Sequence, residues 1–376
     1  RDRHTPATPD QQNKQALLLP FALGLLDSAG NELPLCLEGE SEAVTGTRLL
    51  VLDSERQVFT FTGIANKPVP SLFRDFSAPV KIHFDYSSDQ LALLIEHDSD
   101  PYTRWDAAQR MAQNTILAQC RRAAKGREMV LDSSLVKAFR GVLSDVEADP
   151  ALLAEALKLP DEEYLADQMD VVDVDGIHAA RNFVKRGIAR ELESLLQRRY
   201  TALNDGQAYQ KTASAMARRS LKNTCLGYLL ETRQGEALAN AQLAASDNMT
   251  DTLAAIQGLV LKGLPTAAQA LSAFESSWAG DALVMDKWFM MQAIKPGGET
   301  LGTVRKLMEH PEFNIRNPNK VRALVGVFAM LNPTGFHTAD GSGYAFLADC
   351  VIELDGLNPQ VAARMVTAFN LSLIHI

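Results

Sequence analysis

No two of the seven histidines (His4, His83, His97, His178, His310, His337 and His375) stand four residues apart. The chain therefore has no H-E-x-x-H helix, in which two imidazoles share one face around zinc. It also lacks a G-x-S-x-G nucleophile elbow, a glycine-rich phosphate loop and a dinucleotide fingerprint. Its four cysteines (Cys36, Cys120, Cys225 and Cys350) form no metal or redox spacing and suit buried thiols in a reducing cytoplasm. A formal charge of -9 and the absence of any Lys/Arg block argue against nucleic-acid and anionic-membrane partners. No apolar run is long enough to span a bilayer. The first residues, Arg1-Asp2-Arg3-His4, carry no initiator methionine and no signal peptide, and read as a cut rather than a start.

What remains is an ordinary globular composition, 46% hydrophobic and 22% charged over 376 residues, with room for two or three domains. From Gln15 to Tyr86 the pattern is that of short strands and turns. Leu17 to Leu26 is closed by Asp27-Ser28-Ala29-Gly30-Asn31, with Leu33 to Leu37 as a hairpin partner. Thr47–Leu52 and Gln57–Thr62, joined by Asp53-Ser54-Glu55-Arg56, read as a second hairpin, and Phe59 and Phe61 alternate with Val58, Thr60 and Thr62. Pro68-Val69-Pro70 suits an edge strand, and His83 an outward-facing position. The expected fold is a small β-sandwich.

After Ser87-Ser88-Asp89 the hydrophobic period becomes helical and stays so. Asp100-Pro101, Asp149-Pro150 and Asn248 with Asp251 are helix starts, and a long helix is expected after Asp175-Gly176, with Ile177, Ala180, Val184, Ile188, Leu192 and Leu195 on one stripe. Met285, Trp288 and Phe289 fit a core. Three Asn-Pro steps, at Asn317, Asn332 and Asn358, put an N-cap before a proline at the first helical position. Asp340-Gly341-Ser342-Gly343 reads as a tight turn ahead of the next helix, and Glu96-His97-Asp98 as a polar helix end. Many short helices in antiparallel pairs cannot bury their apolar faces alone and must stack. The fold class is α+β multidomain: a β-sandwich over residues 1–86, then an all-α superhelix of stacked antiparallel helix pairs over 87–370.

Several ordered segments resemble the C-terminal half of bacterial aminopeptidase N, a zinc-dependent alanyl aminopeptidase family. They are Asn248-Met249-Thr250-Asp251, Leu283 to Phe289, Asn317 to Arg322, Phe336-His337, Asp340 to Tyr344 and Asn358 to Ala362. Phe76 to Lys81 and Arg104 to Gln109 fit as well, and the likeness runs from Arg3 to Asn370. The resemblance implies a non-catalytic part that holds no cofactor of its own. The zinc and its catalytic domain would lie upstream in the same protein, and the helical region would wall a chamber for peptide substrates. It implies that Gln360 and Arg364, four apart on one helix, face the leaving-group side of the substrate. From their spacing alone, the two residues better suit a solvated helix face. The last six residues, Leu371 to Ile376, depart from the family and are read as a non-native tail. The alternative to the enzyme reading is a stand-alone helical scaffold that binds a peptide or protein partner.

Overall fold

The computed structural model describes residues 9–11, 17–204 and 206–373, with only the backbone at 371–373. Arg1 to Thr8 and Ile374-His375-Ile376, on which the readings of the two chain ends rest, lie largely or wholly outside the described residues. The chain divides into two compact units, residues 1–114 with 132–158 and residues 115–131 with 159–376.

The first unit begins with β1 (Leu19–Leu26), β2 (Cys36–Leu37), β3 (Arg48–Leu52), β4 (Phe61–Thr62) and β5 (Val69–Leu72). They form a three-stranded sheet in the order β3-β1-β5 and a two-stranded sheet of β2 with β4. The hairpin expected across Asp53-Arg56 does not form. β3 pairs antiparallel with β1, placing Phe21 opposite Leu50, while β4 pairs with β2, placing Leu37 opposite Phe61. The reason is the core: Leu50 joins Leu23, Leu25 and Leu35, and Phe59 and Phe61 pack against them, so the turn carries the chain from one sheet to the other. Within the Phe59 stretch the two faces are as the alternation implied, with Val58 82% exposed and the phenylalanines half-buried. β5 is an edge strand, which suits Pro70 because it has no N–H to give a further ladder.

Helices α1 (Ser88–His97), α3 (Ser133–Ser144) and α4 (Pro150–Leu157) and the first part of α2 (Pro101–Ala124) complete this unit. Ser87 and Gln90 make a full capping box on α1, and Asp132 and Asp149 cap α3 and α4. Asp100 Oδ1 accepts from the Thr103 amide at 2.7 Å at the start of α2. The residue after α1 corrects the reading of Glu96-His97-Asp98. Asp98 is 3% exposed, and its Oδ1 accepts from Arg74 Nη2 at 2.9 Å. Burial raises the Asp98 carboxyl above the usual aspartate range, and the neighbouring guanidinium opposes that shift.

The second unit is helical. It contains α5 (Glu162–Ala166), α6 (Val174–Glu191), α7 (Glu193–Leu203), α8 (Ala213–Leu229) and α9 (Gly235–Ala245). α10 (Met249–Leu261), α11 (Ala267–Trp278), α12 (Ala282–Ala293) and α13 (Thr300–Met308) follow. Sequence neighbours pack as pairs: α7 on α8, α9 on α10, α11 on α12. The long helix expected after Asp175 is two helices, capped by Asp173 and broken at Leu192, where φ is -115° and ψ 10°. The break shifts the buried stripe by one residue, so Leu196 is fully buried while Leu195 is only half-buried. Met285, Trp288 and Phe289 are core, and the Trp288 indole N–H donates to the Leu271 carbonyl at 3.0 Å.

Candidate functional site

The segment from Asn317 to Arg364 folds as the Asn-Pro steps imply. It comprises α14 (Pro318–Val321), a π-helical turn over Arg322–Gly326, α15 (Val327–Leu331), α16 (Pro333–Phe336), α17 (Ser342–Asp355) and α18 (Pro359–Val366). A last helix, α19 (Ala368–Leu373), extends helical backbone into the stretch read as a tail. Each asparagine caps its helix through Oδ1. Asn317 accepts from the Asn319 amide at 2.9 Å, Asn332 from Gly335 at 3.0 Å and Asn358 from Val361 at 3.3 Å.

Asn332 does more than cap. It is 2% exposed, and its Nδ2 donates to the carbonyls of Ala293 at 3.0 Å and Lys295 at 2.6 Å, so one side chain closes the end of α12 and the start of α16. Asn332→Ala strands an amide and two carbonyls. The expected loss is about 2–4 kcal/mol of unfolding free energy in urea titration. Asn332→Asp keeps the cap but sets a carboxylate against both carbonyls, and should do no better.

α18 presents two faces. Ala362 and Met365 are 3% exposed, and the Met365 methyl lies beside Gly326 of the π-helical turn, where an added Cβ would meet it at 3.4 Å. Gln360 and Arg364 are both exposed on the opposite side, one turn apart, and neither side chain has a hydrogen bond or ion pair among the described residues. A guanidinium held this way is a free fork for a carboxylate. Close by in sequence, Lys320 is 3% exposed, lies 3.0 Å from Asp286 Oδ1 and donates to the Ala282 carbonyl at 2.7 Å, so it is structural rather than available.

Asn248-Met249-Thr250-Asp251 leads to a polar cluster that its capping pattern did not reveal. Asp251 takes hydrogen bonds from Lys222 Nζ at 2.6 Å, Asn223 Nδ2 at 2.8 Å and Asn248 Nδ2 at 3.0 Å. Gln242 joins it to Tyr200, whose hydroxyl burial pushes up to about 12. With its oxygens satisfied and a lysine beside it, Asp251 rivets α8, α9 and α10 together and is no proton-transfer group. Burial likewise pushes the Cys225 thiol up to about 12 and that of Cys350 to about 11, which makes both unreactive. The glycines of Asp340-Gly341-Ser342-Gly343 have different tasks. Gly341 makes the turn at φ 70°, whereas Gly343 lets α17 approach the Phe336 carbonyl.

The residues present do not fit zinc: the sequence has no H-E-x-x-H, and no group of three or more His, Cys, Asp or Glu among the described residues could hold a metal ion. No described helix is long and apolar enough to cross a membrane.

Residues 88–372 match the family described as "Domain of unknown function (DUF3458_C) ARM repeats", and residues 2–85 match "Domain of unknown function (DUF3458) Ig-like fold". The chain is 39% identical to "Aminopeptidase N" of Escherichia coli (strain K12) over 97% of its own length and 42% of that protein. It is 40% identical to "Aminopeptidase N" of Haemophilus influenzae, over 96% of its length and 41% of that protein. Among solved structures it is similar to Legionella pneumophila aminopeptidase A in complex with aspartic acid. The TM-score is 0.81 at 30% identity, over 94% of this chain and 41% of that one. The chain thus spans about two-fifths of the length of the relatives it matches.

Proposed function

The chain belongs to the aminopeptidase N family as its C-terminal part, and from that premise we propose that it is the non-catalytic portion of a zinc metallo-aminopeptidase that removes N-terminal residues from peptides. The observation that carries this reading is the coverage. Nearly the whole chain aligns, to only two-fifths of each relative, and the motif that would hold zinc is not in it. In this reading a catalytic zinc domain upstream in the same cytoplasmic protein performs the hydrolysis. The β-sandwich of residues 1–86 and the helical region of 87–370 follow it in the chain, and the helices wall the chamber that admits peptides. Gln360 and Arg364 lie on the leaving-group side, where the unpaired guanidinium takes the substrate's C-terminal carboxylate.

The β-sandwich gives further support. Leu49 and Val51 on β3 are 63% and 44% exposed, and Leu18 is 67% exposed just before β1. An apolar strip of this kind suits a covered surface, and the upstream domain is its proposed cover.

The test has two arms. The purified chain, supplied with zinc, is expected to hydrolyse no aminoacyl substrate, and zinc-dependent turnover by it would overturn the proposal. The coding sequence upstream of Arg1 should contain H-E-x-x-H with a downstream glutamate ligand. A start codon near Arg1 would instead favour a stand-alone scaffold.

A further inference from the structure

Within the helical unit, a cavity of about 210 Å³ opens between the α5–α6 region and α15–α16. Its floor is apolar, made by Met169, Ile177, Ala329 and Met330 among others. Its ionisable lining is three acids, Glu162, Glu163 and Asp167, and one histidine, His337, whose Nδ1 lies 2.7 Å from the Tyr344 hydroxyl. Glu162 is engaged, since its Oε1 lies 2.7 Å from His178 Nδ1. Glu163 and Asp167 are exposed and have no ion pair among the described residues. An apolar cavity of about 150 Å³ is already enough for a benzene ring. This one has room for a phenyl ring with a short arm.

We propose that the cavity binds organic monocations, seating an apolar body on Met169, Ile177, Ala329 and Met330 and an ammonium group against Glu163 and Asp167. The charge pattern selects the class. An anion would meet two carboxylates and no lysine or arginine, and a neutral molecule would gain no charge pairing from them. The same chemistry is offered by a small arylalkylamine and by the free amino terminus of a peptide with an apolar first residue. The site is independent of Gln360 and Arg364 and of the aminopeptidase reading.

The test uses the full chain labelled with carbon-13 at its methionine methyl groups, with Met169 and Met330 assigned by their Leu variants. It is titrated with 3-phenylpropylamine, 3-phenylpropanol and 3-phenylpropanoate. The amine should shift both methyls saturably, bind at least about ten-fold more tightly than the carboxylate, and raise Tm. Glu163→Gln with Asp167→Asn should weaken amine binding about five-fold, as two exposed ion pairs would. Ala166→Leu, which fills the cavity from α5, should abolish it while the fold, followed by the remaining methionine signals, persists. A peptide beginning with phenylalanine that binds more tightly than the amine assigns the site to peptides, and one that binds more weakly assigns it to small amines. No saturable shift, equal binding of all three probes, or an unchanged affinity in the double variant would overturn the proposal.

Discussion

Arg74→Met should cost the first unit about 3–5 kcal/mol, the range for removing one partner of a buried ion pair. Arg74 is 1% exposed and sits where four polar groups converge. It donates to Glu32 Oε1 at 2.8 Å, Asp98 Oδ1 at 2.9 Å, Ser71 Oγ at 2.7 Å and Thr47 Oγ1 at 3.1 Å. These groups come from the β-sheet region and from the end of α1, so the guanidinium joins them. Two further features are built around it. A Cβ on Gly24 of β1 would lie 2.2 Å from the Arg74 Cζ, so that glycine keeps space for the guanidinium. The flanking Phe73, Asp75 and Phe76 have φ of 55°, 55° and 49°, a left-handed conformation that costs non-glycine residues about 1–3 kcal/mol each and persists only where the surroundings impose it. Without the arginine, Asp98, whose side chain is completely buried, loses its counter-charge. Arg74→Met combined with Asp98→Leu removes that penalty and should recover roughly half of the loss. Urea titration of the two singles and the double checks this. A single Arg74→Met that costs less than about 1 kcal/mol would contradict the joining role.

Gly343→Ala should be the more damaging of two similar substitutions in one turn. An added Cβ would lie 2.2 Å from the Phe336 carbonyl oxygen and 2.9 Å from its carbon. Both belong to backbone, so no side chain can swing aside, and α17 must lift from α16. Overpacking typically costs about 1–3 kcal/mol, and a clash between two backbones belongs at or above the top of that range. The displacement also reaches α18, which packs on α17 and carries Gln360 and Arg364. Gly341→Ala, at φ 70° with open space around its Cβ position, should cost only about 1–2 kcal/mol for the left-handed backbone. Thermal unfolding of both variants separates a steric requirement from a conformational one. Equal losses would contradict the close approach.

The legible features were local ones. An asparagine before a proline caps within three residues, so all three starts in the 317–358 stretch could be read directly, and the four-residue spacing of Gln360 and Arg364 was enough to put them on one face. Pairings between distant residues could not be read. Nothing in Asp53-Arg56 tells a hairpin turn from a sheet-to-sheet crossing, because the choice is made by Leu50 meeting Leu23, Leu25 and Leu35. Arg74 and Asp98 are 24 residues apart and follow no period, and an acidic residue at a helix end ordinarily faces water. Gly343 was hidden by its neighbours, since a glycine in Asp-Gly-Ser-Gly already has a turn to explain it. The kink at Leu192 moved Leu196 into the core in place of Leu195, a shift that a strict 3.6-residue stripe cannot anticipate.

Arg364 on α18 is proposed to take the carboxylate of a peptide held by another domain. The most direct test of this claim is the ratio of kcat/KM for a tripeptide with a free carboxylate to that for the same tripeptide amidated, in the complete protein. A charge-assisted hydrogen bond contributes about 1.5–3 kcal/mol, so the free peptide should be favoured at least about ten-fold. Arg364→Ala should bring the ratio close to one while leaving turnover of an aminoacyl arylamide unchanged. A ratio that is the same in the parent and in Arg364→Ala would contradict the claim.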